Sequence, residues 1–150
     1  MRDLTETYSG RQYPLCAVID FDYSTFTKDE VTKVFALPAG AVIVSYALQV
    51  RTAWNNTTPT LTVGRYSLGP ADPNSFLDDV SLGTGDETFQ GSLYDAGTEA
   101  NLDASDANHV DVPNDSIAVL YKAAAGTATA GAATLIVEYV VRGRDQENQG

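Results

Sequence analysis

Between Ala41 and Trp54 apolar side chains recur at every second position: Val42, Val44, Tyr46, Leu48, Val50 and Trp54 alternate with a set that includes Ser45, Gln49 and Arg51, and Thr52 is the one polar residue in the apolar series. A period of two is the spacing of side chains on one face of an extended strand, so this run predicts a long strand with one face buried and one wetter. Leu37-Pro38-Ala39-Gly40 just ahead of it cannot continue a strand and reads as a turn. A strand with one apolar face has to bury that face against a second layer, which makes this a sheet protein before other residues are considered.

The pattern returns near the C-terminus. From Ala132 to Arg142, Ala133, Leu135, Val137, Tyr139 and Val141 share one face, while Thr134, Glu138 and Arg142 lie opposite. Ile136 and Val140 also fall on that opposite face, so a second layer or a neighbouring subunit is expected to cover part of it. The preceding stretch, Ala123 to Gly131, is built from small residues; alanine favours helix, but two glycines and two threonines cut that preference, and the stretch reads as a loop. Leu15 to Tyr23, Thr32 to Leu37, Leu61 to Tyr66 and Ile117 to Tyr121 are further strand candidates, rich in β-branched and aromatic residues. Between Tyr66 and Val112 turn pairs such as Gly69-Pro70 and Asp72-Pro73 punctuate a loop-rich region, where Asp72 or Asn74 is placed to cap one short helix over Ser75 to Val80. The expected fold is therefore all-β: an antiparallel β-sandwich, jelly-roll-like, with at most one short helix. A chain of 150 residues holds one such core. We divide it into an N-terminal arm over 1–13, a sandwich over 14–143 and a polar tail over 144–150.

The formal net charge is -11. A field of that sign repels phosphate backbones and anionic headgroups, so neither nucleic acid nor membrane is an expected partner. No run reaches the ~18 apolar residues of a membrane span. The N-terminus, Met1 to Glu6, carries acids and lacks the apolar region of a secretory signal, which implies synthesis and assembly in the cytoplasm. On that expectation the glycosylation sequons at Asn55 and Asn56 stay unused.

Little in the chain points to chemistry. Cys16, the single cysteine, lies in the apolar run Leu15 to Ile19 and reads as a buried small hydrophobe. With His109 as the one histidine, a zinc site or a triad of ordinary composition is excluded, and no phosphate loop or nucleophile elbow appears. Asp20 and Asp22 point to the same side of a predicted strand, but paired acids of glycosidases come from different strands around a cleft, so these two read as a solvated face. Two acidic clusters, Asp72, Asn74, Asp78 and Asp79, and then Asp103, Asp106, Asp111 and Asp115, are the densest sets of oxygens. Calcium needs about six to eight converging oxygens, and neither spacing matches a known loop. No catalytic residue, cofactor or metal is assigned, and the chain is not expected to be an enzyme. Trp54, Tyr46 and Tyr139 fall on apolar strand faces and read as core rather than as a sugar-binding platform. Tyr8 and Tyr13 flank Gly10 and Arg11 in a polar segment without strand pattern and read as contacts for something outside the domain.

The turn Leu37-Pro38-Ala39-Gly40-Ala41-Val42-Ile43-Val44 and the closing segment Gly131 to Arg144, with Leu135-Ile136-Val137-Glu138-Tyr139-Val140 at its heart, resemble landmarks of small β-sandwich virion proteins of tailed bacteriophages. In that group an LPAGA-type turn opens a long strand and an LIVEYV-type strand closes the domain, and both stand here in order. The resemblance implies a structural role on the particle, most often as a decoration or accessory protein of the head. It implies a homotrimer or other small homo-oligomer on the head surface, with the major capsid protein as partner. On that reading Tyr8, Arg11 and Tyr13 of the arm are the capsid-binding residues. The rival expectations are a tail or neck protein and a receptor- or carbohydrate-binding module, since a sandwich does not fix its function.

Overall fold

The computed structural model describes residues 14–66, 76–92 and 115–141. Eight strands run through them: β1 Leu15–Asp22, β2 Val31–Leu37, β3 Ala41–Thr52, β4 Thr60–Arg65, β5 Leu77–Ser81, β6 Glu87–Ser92, β7 Asp115–Lys122 and β8 Ala132–Val141. Sheet A has the order β1-β8-β3-β6 and sheet B the order β2-β7-β4-β5, with every neighbouring pair antiparallel. Pairing β1 with β8, β2 with β7, β3 with β6 and β4 with β5 is the pairing of one long hairpin folded on itself. The β3–β8 and β4–β7 contacts roll that hairpin into two sheets, which is the jelly roll. The expected all-β sandwich is thus the observed one, and the small-residue stretch before β8 is a loop.

The core lies between the inward faces of the sheets. Leu48 faces Leu135 across the β3–β8 ladder and Val63 faces Val119 across β4–β7, all fully buried, each side chain contributing roughly 1.5–3 kcal/mol by leaving water. Trp54 closes one end: its amide donates to the Leu82 carbonyl at 2.9 Å and its ring lies 6.1 Å from that of Phe21. The indole packs on Gly131, where any Cβ would overlap the ring and where φ is +148°, so only glycine fits. Tyr46 is buried as expected, stacks on Phe76 at 5.1 Å and donates its hydroxyl to the Phe76 carbonyl at 2.9 Å. Tyr139 is half-buried against Phe35, ring centroids 5.7 Å apart.

Three expectations need correction. The first concerns β3, where Ala41 and Ile43 are in the core while Val42 and Val44 are half-buried on the other side. The register shifts between Ile43 and Ser45, and this bulge exchanges the faces, so that Tyr46, Leu48 and Val50 point inward beyond it. Second, the helix expected over Ser75 to Val80 is replaced by β5. Leu77 and Val80 both face the core, a three-residue spacing that imitates a helical period. A shifted register against β4 and Asp79 at φ +46° produce that spacing in an extended chain. Third, Cys16 is exposed. It alternates outward on β1 with Val18, Asp20 and Asp22 while Ala17 and Phe21 point in, so an apolar run at that position does not mean burial on both faces. β6 had no counterpart in the sequence reading; it is an edge strand of sheet A in which Phe89 alone is a large apolar residue.

Candidate interaction surfaces

The two sheets present different outer faces. On sheet A the registers align Val18, Ile136, Ala47 and Gln90 in one row across the strands. Cys16, Glu138 and Ser45 form the row on one side of it, and Asp20, Thr134, Gln49 and Thr88 the row on the other. Val18 is 61% exposed, and Ile136 and Val140 are half-buried. Because Ala47 and Ser45 are small, a shallow depression of about 330 Å³ opens over β3, walled by Ile136 and Glu138 on one side and Gln90 on the other. Polar groups frame the apolar row: Ser45 Oγ donates to Glu138 Oε2 at 2.9 Å, Thr134 Oγ1 donates to Asp20 Oδ1 at 2.5 Å, and Arg51 Nη2 lies 3.5 Å from Asp20. An apolar strip with a polar rim can receive side chains of another surface.

Sheet B is closed on that side. Leu61, Val63, Ile117, Val119 and Tyr121 belong to the core, yet the residues that alternate outward between them, Thr62, Gly64, Ala118 and Leu120, are buried as well. Lys33 stands in register with Ala118, and Ala118 with Gly64; the lysine crosses these small residues to place Nζ 4.0 Å over the ring of Tyr66. Nearby, Thr60 and Thr62 hydroxyls donate to Asp79 Oδ1 at 3.3 and 3.2 Å, with Lys122 Nζ at 3.8 Å from the same oxygen. On the core side Arg65 Nε meets Asp115 Oδ2 at 2.7 Å in a fully buried ion pair, and Asp115 Oδ1 also accepts the Ser116 amide at 2.8 Å.

These contacts account for two of the acidic residues singled out in the sequence. Asp79 and Asp115 are held by hydroxyls and cations in separate places, and among the described residues no cluster of three or more histidine, cysteine or acidic side chains could hold a metal ion. Asp20 and Asp22 lie exposed on the same side of β1. Asp22 Oδ1 accepts from the Ser24 hydroxyl at 2.6 Å and the Ser24 amide at 2.8 Å, bonds that hold its carboxyl below the ordinary carboxylate value. Tyr8, Arg11, Tyr13, Asp72, Asn74, Asp103, Asp106, His109 and Asp111 lie outside the described residues. No helix among the described residues is long and apolar enough to cross a membrane.

Fold and surface together define a small jelly-roll protein with one closed and one open outer face. No protein-family model and no curated protein matches the chain in sequence. In three dimensions it is similar to a chain in the capsid asymmetric unit of cyanophage Pam1, with TM-score 0.54 and 20% identity over 88% of this chain and 89% of that one. It is similar as well to a chain in the capsid of Ralstonia phage GP4, with TM-score 0.55 and 21% identity over 86% and 84% of the two chains. At such identities the likeness is one of fold.

Proposed function

We propose that this chain is a structural protein of a bacteriophage virion, a decoration or cement protein that binds the major capsid protein and stabilises the head. The observation that carries the reading is the likeness to chains of two phage capsids over nearly the whole of both partners. Coverage is almost equal in the two directions, so the matched chains have about the length of this one, and the shared jelly roll is nearly the entire small subunit in each case. The turn and closing strand that resemble tailed-phage virion proteins agree with this, and so does a surface organised for contact: an apolar strip with a polar rim on sheet A.

The mode of action is mechanical. A homotrimer on the outside of the head would bridge neighbouring capsomers, and simultaneous contacts by several copies multiply modest single-site affinity. Residues 1–13 form the arm in this proposal, with Tyr8, Arg11 and Tyr13 binding the major capsid protein; 14–143 form the sandwich and 144–150 a polar tail. The test is to add the purified chain to heads lacking it and to image the particles. Density for a jelly roll repeated over the head supports the proposal, whereas density confined to the tail or neck overturns it. Deleting residues 1–13 is expected to leave the unfolding transition unchanged and to remove the chain from particles; unchanged occupancy would exclude the arm as the anchor.

A further inference from the structure

Four connections meet at the end of the sandwich where Trp54 closes the core, and three of them, the β1–β2 loop, the β3–β4 loop and the β7–β8 loop, frame a cavity there. They are tied together by backbone and side-chain bonds. The Tyr23 amide donates to the Gly131 carbonyl at 3.0 Å, the Asp29 amide to the Tyr121 carbonyl at 2.8 Å, and Thr57 exchanges bonds of 3.0 Å with Ala125 and Ala124. Asn55 Oδ1 accepts from the amides of Thr129 and Ala130 at 2.9 and 3.3 Å, and its Nδ2 donates to Thr129 Oγ1 at 2.8 Å. Between these loops lies a cavity of about 150 Å³ lined by Tyr23, Phe26, Lys28, Asn56, Tyr121 and Thr127.

The lining is mixed in a way the core is not. Tyr23 is 41% exposed, one of two large apolar side chains left open to solvent among the described residues, and Phe26 stands next to it in the wall, 4.8 Å from Phe21 behind. Asn56 Nδ2 donates to the Tyr121 hydroxyl at 2.6 Å, which leaves that hydroxyl's own proton without a partner among the described residues; Asn56 Oδ1, a buried atom just behind the cavity wall, is without one too. Turning the amide over would let Tyr121 donate to Oδ1 and would strand Nδ2 instead, so hydrogen-bonding capacity is left over either way. Lys28 supplies the one charged group, a cation on a chain of net charge -11. We infer that this loop end is a binding site for one pyranose residue of a glycan, preferably an acid-bearing one: a cavity of about 150 Å³ takes a single six-membered ring, aromatic faces suit the C–H face of a sugar, and Lys28 meets its carboxylate. The site was not read from the sequence because its residues come from three segments, and Asn56 drew notice only as part of a sequon.

Sugar binding is read on the isolated chain and is independent of where the chain sits on a particle. The probes are methyl glycosides of glucose, galactose, glucuronate and galacturonate at millimolar concentration, followed by saturation-transfer NMR and titration. Transfer to at least one uronate is expected. Affinity should fall about tenfold in Tyr23→Ala through loss of stacking, and the preference for uronates over neutral sugars should vanish in Lys28→Gln. Tyr121→Phe keeps the ring and removes the hydroxyl that accepts from Asn56, and it should weaken binding while the chain still folds, at some cost in stability read from its unfolding transition. Absence of transfer from every sugar, binding unchanged in both Tyr23→Ala and Tyr121→Phe, or equal binding of neutral and acidic sugars overturns the inference.

Discussion

Sheets A and B have the same number of strands and the same antiparallel pairing, yet they differ on the side away from the core. In sheet B the outward residues Thr62, Ala118 and Leu120 are as buried as the inward ones, and Lys33, Tyr66 and Asp79 lie against that side. In sheet A the outward row from Val18 to Gln90 is open, with apolar side chains at its centre. Both sheets contribute to the shared core, so the difference is not one of folding competence. A sheet closed on both sides can be stable alone, whereas an open apolar strip gains most when another surface covers it. The division of labour is therefore legible in the burial pattern: sheet B completes the fold, and sheet A keeps a face for contact.

One substitution made on each face tests this division most severely. Leu120→Asp buries a carboxylate beside Thr62 and removes a packed side chain, and it is expected to cost about 3–5 kcal/mol, a large part of the stability of a domain of this size. Val18→Asp, on a residue 61% exposed, is expected to change stability by less than about 1 kcal/mol. Urea denaturation of the two variants measures both. Similar losses would mean that the outer face of sheet A is as structural as that of sheet B, and the comparison would fail.

The ion pairs extend the same contrast to charge. Arg65→Met removes the guanidinium 2.7 Å from buried Asp115, expected to cost about 3–5 kcal/mol, while Arg51→Met on sheet A breaks a half-exposed 3.5 Å pair with Asp20 and is expected to cost about 1 kcal/mol or less. Added salt should erase the smaller effect and leave the larger. Equal effects would show that the pair inside the sandwich contributes no more than a surface contact.

How far all this could be read in the sequence depends on whether local pattern or strand pairing decided each feature. β8 was legible to within one residue, because its inward series Ala133, Leu135, Val137 and Tyr139 is uninterrupted by any bulge. β3 was legible as a strand but not in its facing before Ser45, since a bulge is set by the partner strand. β5 was misread as helix for the same reason, with Leu77 and Val80 brought to one side by Asp79. Cys16 was misplaced because an apolar run carries no mark of whether anything covers its second face. The contact surfaces were hardest of all: Ile136 and Val140 hinted at the open face, but the row Val18-Ile136-Ala47 exists only once three strands lie in register.

The smallest expected effect lies where the chain leaves sheet A for sheet B. Asp22 ends β1, and its carboxylate gathers the Ser24 hydroxyl and amide and the Thr25 hydroxyl into the turn toward β2. These donors favour the ionised form and lower its pKa from an ordinary 3.8, so the folded state binds that proton less readily than the unfolded one. The stability this group adds is therefore complete above the unfolded value and is lost as pH falls through the folded one, a window below about 3.8. Asp22→Asn keeps an acceptor but cannot ionise, so the gap in stability between the two proteins should be larger at about pH 6 than at about pH 2.5, the other carboxylates cancelling between them. Denaturant midpoints at the two pH values measure the gap. Because the group is fully exposed the gap is small, and one of equal size at both pH values would show that the turn is held by its backbone alone and that the passage between the two sheets owes nothing to charge.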